Sequence, residues 1–310
     1  MRPAWSILLF TTLSGVGQGM VLFAALLHWA EVPLRAGLLL QLLACALCFL
    51  FAGLGASFFH LGHKRRAWRV VCMWRTSWMS REVIVMPALM AVVALGCALQ
   101  WQAPAGAHPV WAMSALVGTL LLWHCTAMIY ASVRFIQEWA HPLTVLNFML
   151  MGACSGGSWV CAWMGEGLRS RAAAWLAPTV FLVTLLAWGV RWASALRNAR
   201  LRSRSTLQSA TGIANATLRQ ASMGFTAGAF NTREFFHGAS TQTVRQVTWL
   251  AFGGVFAAPI ALQAVMALGL CSPAAWWGVV AVQALGLLAE RWLFFAQARH
   301  PQNLYYQTVA

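Results

Sequence analysis

Long apolar segments alternate with shorter polar segments along most of this chain of 310 residues. Eight of the apolar segments reach the roughly 20 residues that an α-helix needs to cross the hydrocarbon core of a bilayer. The pattern therefore predicts an all-α integral membrane protein, a single transmembrane domain built as a bundle of eight helices. The expected spans lie near 6–30, 36–59, 83–102, 109–133, 142–164, 172–195, 247–270 and 274–296.

Composition supports a membrane protein, because 60% of the residues are hydrophobic and only 9% are charged, whereas soluble domains carry about 25% charged residues. The chain has no aspartate and six glutamates, so no acidic metal cluster is expected. Most of the eight cysteines lie in apolar segments, where a thiol packs as a small hydrophobe. The cysteine spacing typical of iron–sulfur ligands is absent from the sequence, and we expect no metal site and no iron–sulfur cluster in this chain.

The positive charges are distributed unequally between the two ends of the predicted bundle. Eighteen of the 21 lysines and arginines fall on the side of the N-terminus, whereas Arg35, Arg169 and Arg171 fall on the other side. Cytoplasmic loops carry the excess of positive charge in membrane proteins. This predicts that both termini lie in the cytoplasm and that 196–246 is a cytoplasmic insertion loop. In this count of lysines and arginines, Arg191 is assigned to the polar segment between the sixth and seventh spans.

The formal net charge of +15 is expected in the segments that join the spans. Basic loops beside a membrane attract anionic lipid headgroups, and they also attract acidic protein surfaces. We therefore expect the lipid bilayer and a protein partner, and no nucleic acid.

The loop at residues 60–82 gathers most of the chemistry that the sequence offers. His60 closes the second apolar segment and Glu82 opens the third, so both are expected at one membrane face. Two spans joined by a loop of this length are expected to be neighbours, and the two side chains would then share a pocket. A histidine and a carboxylate in one pocket can pass a proton to a bound molecule. The alternative is that both are interfacial residues without a functional role.

The same loop is basic and rich in tryptophan. Tryptophan marks the membrane interface, and a basic amphipathic segment lies flat on anionic headgroups. Such a surface is also compatible with the docking of a protein partner. Its cations are Lys64, Arg65, Arg66, Arg69, Arg75 and Arg81, and its tryptophans are Trp68, Trp74 and Trp78.

Polar and small residues also occur inside the predicted spans. His124 is the histidine placed well inside a span. A haem would need a second histidine facing it, and His60 is the least unsuitable residue for that position. No haem is therefore expected.

Glu290 and Arg291 are neighbours in the last span, and adjacent helical residues do not face each other. Each should therefore find a partner elsewhere in the bundle or reach the interface, and a functional site and an ion pair between helices are equal alternatives. The small residues of Gly152–Ser158 predict close helix packing.

The loop also carries a family resemblance. The sequences HLG at 60–62, RAW at 66–68 and SWMSRE at 77–82, together with Arg75, closely resemble the membrane-anchor subunits of dimethyl-sulfoxide-reductase-type complexes. The resemblance implies a haem-free subunit that binds quinone, either ubiquinone or menaquinone. It also implies electron exchange with an iron–sulfur subunit, which serves a molybdopterin catalytic subunit.

The resemblance also implies roles for particular residues. His60 and Glu82 match the family residues that affect quinol binding, and we expect them to transfer protons to or from quinone. Cations near the ring would stabilise its reduced form. The expected quinone pocket comprises His60, Arg66, Arg75, Ser80, Glu82 and His124, and the expected docking residues are Lys64, Arg65, Arg69, Arg233 and His237.

Two further segments, FNTREFFH at 230–237 and ERWLFF at 290–295, look like a branch of this family with cytoplasmic partners, the quinone-dependent sulfite dehydrogenases. The resemblance then implies that electrons from sulfite oxidation pass to quinone in the bacterial inner membrane, and that the molybdenum chemistry belongs to a partner. The alternatives are an anchor of a dimethyl-sulfoxide- or polysulfide-type reductase that oxidises menaquinol, a haem-bearing anchor, a purely structural anchor, and a secondary transporter. Transporters often contain internal repeats, and no repeat stands out in this sequence.

Overall fold

The computed structural model describes residues 1–59, 61–103, 106, 108–202, 206–214, 217–218, 235, 237–301 and 303. Within these residues the regular structure is helical, without strands, and eight helices are long and apolar enough to cross a membrane. For the described residues, the predicted all-α fold with eight helices of membrane-spanning length and composition is thereby confirmed. The long helices are α1 (Trp5–Trp29), α2 (Leu38–Phe58), α3 (Trp78–Gln102), α4 (Pro109–Ala131), α5 (Pro142–Met164), α6 (Leu176–Ala199), α8 (Thr241–Ala267) and α9 (Trp276–Ala296), and the short helix α7 (Leu207–Thr211) lies between α6 and α8.

Two helix ends differ from the expected spans in ways that matter for the site. Helix α3 begins at Trp78 rather than near residue 83, because Ser77 caps it by accepting a hydrogen bond from the backbone N–H of Ser80. Glu82 therefore lies within the helix rather than at its start. Helix α6 continues to Ala199, so Arg191, which the charge count placed in a loop, is a buried residue of a transmembrane helix.

Helices α1 and α5 approach each other closely at the centre of the bundle. A Cβ atom on Gly156 would lie 2.3 Å from the carbonyl carbon of Gly19, and one on Gly19 would lie 2.0 Å from the carbonyl oxygen of Gly152. Only glycine allows the two backbones to come this near. The packing role predicted for Gly152–Ser158 is thereby confirmed for its glycines.

Several contacts define one end of the bundle, which we call the N-terminal face. The Met1 amino group donates hydrogen bonds to the carbonyl oxygens of Ala296, at 3.3 Å, and Ala298, at 3.0 Å. The Arg197 guanidinium, at the end of α6, donates to the carbonyl oxygen of Gln137 at 2.9 Å. The N-terminus, the loop between α4 and α5, and the ends of α6 and α9 therefore meet at this face.

Candidate functional site

The carboxyl group of Glu82 is buried between α3 and α4. Only 6% of the residue is exposed, and the hydroxyl of Thr126 in α4 donates a hydrogen bond to Glu82 Oε1. None of the residues that the structure describes forms an ion pair with Glu82. The group is therefore a buried carboxyl held by a neutral hydroxyl rather than by a fixed positive charge.

Trp78, one turn of α3 before Glu82, makes an aromatic contact and a cation–π contact. The ring of Trp78 meets the imidazole of His124 edge to face, with centroids 5.3 Å apart. The guanidinium of Arg81 lies 4.1 Å from the centroid of the Trp78 ring, and it donates to the carbonyl oxygens of Trp74 and Arg75. Trp78 and Glu82 share one face of α3 because they are four residues apart. Trp78 therefore links α3 to His124 of α4 one helical turn before Glu82.

The other expected pocket residues lie in different places. Ser80 is buried in the first turns of α3, with 1% of its surface exposed. Arg66 and Arg75 lie on the exposed surface, because the segment Lys64–Met73 forms a 3₁₀ helix without buried residues and Arg75 stacks on Trp74 at 5.4 Å. His60 lies outside the described residues. The structure thus buries Glu82 and Ser80 in α3, places His124 of α4 against Trp78, and holds the two arginines outside the bundle.

The expected docking residues of the 60–82 loop are exposed. The Lys64 ammonium lies 5.0 Å from the centroid of the Phe59 ring, and the Arg69 guanidinium lies 5.6 Å from that of Trp68. Arg65 is also exposed. Stacking on aromatic rings keeps these cations near the membrane interface while their charges remain accessible.

His237 has a different environment, and Arg233 lies outside the described residues. The Nδ1 atom of His237 accepts a hydrogen bond from the backbone N–H of Ala239 at 3.0 Å, and the ring approaches Trp292 at 6.1 Å. Partial burial, and secondarily the Met1 amino group, lower the pKa of His237 below its ordinary value. At neutral pH His237 therefore adds little positive charge to this face.

A buried ion cluster links α6 and α9. The Arg191 Nε atom lies 2.9 Å from Glu290 Oε1, and the Arg291 Nε atom lies 3.2 Å from Glu290 Oε2. The interhelical ion pair expected as one alternative is thus present. The expectation that Glu290 and Arg291 do not meet was wrong, because the long arginine side chain bends back to its neighbour. The sequence could have indicated Arg191, since it lies inside the apolar segment predicted at 172–195.

Thr126 also borders a small internal cavity that sequence reasoning missed. The cavity has a volume of about 20 Å³. Its polar lining comes from four helices and comprises Thr11, Thr12, Ser14, Gln18, Trp123, Thr126, Ser155 and Arg291. The spacing of Thr11, Ser14 and Gln18, three and four residues apart, is a helical polar stripe that the sequence already contained.

A protonated carboxyl group and an imidazole N–H can each donate a hydrogen bond to a carbonyl oxygen such as those of a quinone. The carboxyl of Glu82 meets Thr126 of α4, and the imidazole of His124 meets Trp78 of α3. Two neighbours of Glu82 on α3, Met79 and Val83, are exposed apolar residues. Within the described residues, no group of three or more histidine, cysteine or acidic side chains could hold a metal ion.

Comparison with known proteins gives two matches. Residues 1–230 match the family described as "DMSO reductase anchor subunit (DmsC)". The whole chain is similar to a protein of Allochromatium vinosum that is named as a sulfite dehydrogenase subunit, with 44% identity and 100% of both chains covered. The family match includes α1 to α6, and so contains Glu82, Thr126 and the 60–82 loop.

Proposed function

Since the chain belongs to the DMSO reductase anchor subunit family, we propose that it is the membrane anchor of a sulfite dehydrogenase complex. In this role it binds quinone and exchanges electrons with an iron–sulfur subunit, which connects it to a molybdopterin catalytic subunit. The full-length likeness to a sulfite dehydrogenase subunit supports this choice of complex. The chemistry of sulfite oxidation belongs to the catalytic partner.

The buried carboxyl of Glu82 is the observation that carries the quinone proposal. Reduction of a quinone to a quinol takes two electrons, which come from the iron–sulfur partner, and two protons, which the protein must supply. Glu82 donates one proton from its carboxyl group, and the hydroxyl of Thr126 holds that group in position. We assign His124 a hydrogen bond to a ring oxygen, since its imidazole meets Trp78 one turn of α3 before Glu82.

His60 is the proposed second proton donor. It precedes the loop in sequence and matches the family residue paired with Glu82, while its position lies outside the described residues. Arg66 and Arg75 do not contact Glu82 in this structure, so we assign them to the exposed basic loop rather than to the ring.

The exposed loop between α2 and α3 is the proposed docking surface for the iron–sulfur subunit. Its cations are accessible, and it leads directly into the helix that carries Glu82. Charge at the rim of an interface mainly speeds and steers encounter. The unequal distribution of lysine and arginine supports a cytoplasmic position for this face in a bacterial inner membrane.

The substitution Glu82→Gln tests the proposal, because it keeps the size of the side chain and removes the proton. General acid catalysis contributes roughly 10²–10⁴ in rate, so sulfite-driven quinone reduction should fall about 100-fold or more. Sulfite-driven reduction of a soluble dye, which bypasses the quinone site, should remain normal. The matched control is Glu166→Gln, a surface glutamate 68% exposed that should leave both rates unchanged. A normal rate of quinone reduction in Glu82→Gln would exclude this residue as the proton donor.

A further inference from the structure

The internal cavity beside Thr126 is lined by polar atoms without partners. Thr12 Oγ1, Ser14 Oγ, Gln18 Oε1 and Trp123 Nε1 are buried and find no hydrogen-bond partner among the described residues. Each of these residues is at most 8% exposed, and all four line the same cavity. An unsatisfied buried polar group destabilises a protein by about 1–3 kcal/mol. Four such groups around one space indicate a bound ligand that satisfies them.

The size of the cavity identifies the ligand class as water. A water molecule needs about 10–15 Å³ of accessible space, so the 20 Å³ present here admits one or two. Organic ligands the size of a quinone ring system occupy pockets of roughly 300 Å³ or more. A buried water makes about three hydrogen bonds. Two waters would therefore satisfy the four orphaned atoms and retain hydrogen bonds for Thr126 and Arg291.

The lining of the cavity includes one partner of Glu82 and one partner of Glu290. Thr126 lines it on one side and donates to Glu82. Arg291 lines it on the other side and pairs with Glu290, which pairs with Arg191. Polar side chains thus continue from Glu82 across the cavity to α6.

The polar line then continues along α6 toward the N-terminal face. Arg191, Ser194 and Arg197 follow one another at intervals of three residues, which places them along one side of the helix. Ser194 accepts a hydrogen bond from the Asn147 amide at 2.7 Å, and Arg197 reaches the carbonyl oxygen of Gln137. Polar side chains, buried at Arg191 and Ser194 and partly buried at Arg197, therefore extend from the ion cluster to the loop between α4 and α5.

We propose that the cavity binds one or two water molecules and that these waters return protons to Glu82. The inference rests on the proposed function, in which Glu82 gives a proton to quinone. The Thr126 hydroxyl then donates its proton to the Glu82 carboxylate and accepts one from a cavity water. That water regains a proton from solvent water, so one proton moves inward for each proton that Glu82 gives up. The arginines of the polar line keep their own protons and serve only to orient water. No electron passes along this route.

The substitution Thr126→Val removes the hydroxyl at nearly constant volume, whereas Thr126→Ser keeps it. Sulfite-driven quinone reduction should fall at least tenfold in Thr126→Val and be restored in Thr126→Ser. Dye reduction should stay normal in both, which shows that the complex remains assembled. Unchanged quinone reduction in Thr126→Val, with Glu82→Gln still inactive, would overturn the water route and leave the proposed function intact.

A second variant distinguishes proton transfer through Thr126 from a role in which Thr126 only positions the Glu82 carboxyl. Gln18→Met replaces a cavity-lining amide by an apolar chain of similar length, on a helix that does not carry Glu82 or Thr126. The water route predicts at least a threefold slower quinone reduction and a larger solvent deuterium isotope effect. A normal rate and a normal isotope effect in Gln18→Met would mean that Thr126 only positions Glu82, and would refute the inference.

Direct observation of the waters gives an independent readout. A cryo-electron microscopy map of the assembled complex should show density within hydrogen-bond distance of both Trp123 Nε1 and Gln18 Oε1. Loss of this density in Gln18→Met supports the assignment. A cavity without density in the wild-type protein, at a resolution that shows other buried waters, would refute it.

Discussion

Breaking the ion cluster of Arg191, Glu290 and Arg291 should strongly destabilise the bundle. Two unit charges 2.9 Å apart attract by about 6 kcal/mol at an effective dielectric constant near 20, and desolvation of both groups offsets much of this energy. Removing one charged partner leaves the desolvation cost of the remaining charge without the compensating attraction. Glu290→Gln leaves two buried arginines with no carboxylate between them, for which we expect a loss of about 3–5 kcal/mol.

The chain offers a matched control for this substitution. Glu166 and Arg169 form an ion pair of nearly the same length, 3.0 Å, but their side chains are about 70% exposed. Exposed pairs contribute about 0–1 kcal/mol, so Glu166→Gln should change stability little. Both proteins can be unfolded by sodium dodecyl sulfate in mixed micelles, with the fluorescence of the 18 tryptophans as the signal.

The expected difference between the two variants is large enough to measure. A loss of about 3 kcal/mol changes the unfolding equilibrium more than 100-fold, since each 1.4 kcal/mol corresponds to a factor of ten. Equal losses of stability in Glu290→Gln and Glu166→Gln would show that burial does not increase the contribution of an ion pair to the free energy of unfolding. A replacement of all three charged residues by leucine should be less harmful than Glu290→Gln, because it removes the desolvation cost together with the pairing.

Two further predictions concern helix packing and the docking face. Gly156→Ala should lower the free energy of unfolding by about 1–3 kcal/mol or prevent assembly, because its Cβ would lie 2.3 Å from the Gly19 backbone. The control Gly189→Ala, with no atom within 4 Å of the new Cβ, should be neutral in the same unfolding assay. Equal effects of the two substitutions would contradict the close approach of α1 and α5. The exposed thiol of Cys72 in the 60–82 loop should react with a membrane-impermeant maleimide in inverted vesicles and be protected when the iron–sulfur subunit is bound. The exposed Cys271 should react only in right-side-out vesicles, and labelling of Cys72 from that outer side would refute both the orientation and the docking surface.

The number of spans could be predicted from the sequence because it depends on the length of each apolar segment alone. A bilayer of fixed thickness demands about 20 apolar residues wherever the helix lies. The ends of a helix depend on local capping residues, which cannot be predicted from the length of the apolar segment. Ser77 extends α3 back to Trp78, and this extension places Glu82 inside the bundle rather than at its boundary.

The contacts within the site depend on how each helix is rotated against its neighbours. Threonine is an ordinary residue of membrane helices, so nothing local distinguishes Thr126 from Thr119. Its role follows from the packing of α4 against α3, which aims its hydroxyl at Glu82. Arg191 illustrates the same point: the sequence shows a charge at the end of an apolar segment, and only the position of α9 shows that Glu290 is its partner.

The two buried glutamates of the described residues have different surroundings, and this difference separates their roles. Glu290 lies between two arginine side chains, with one nitrogen near each of its oxygens. Arginine keeps its charge in proteins, so this carboxylate is fixed as part of a structural cluster. Glu82 has a single hydroxyl as its partner, and a hydroxyl can donate to a carboxylate or accept from a carboxylic acid. Thr126 can therefore serve both protonation states without rearrangement of the helices, and for this reason we assign proton exchange to Glu82 and bundle stability to Glu290.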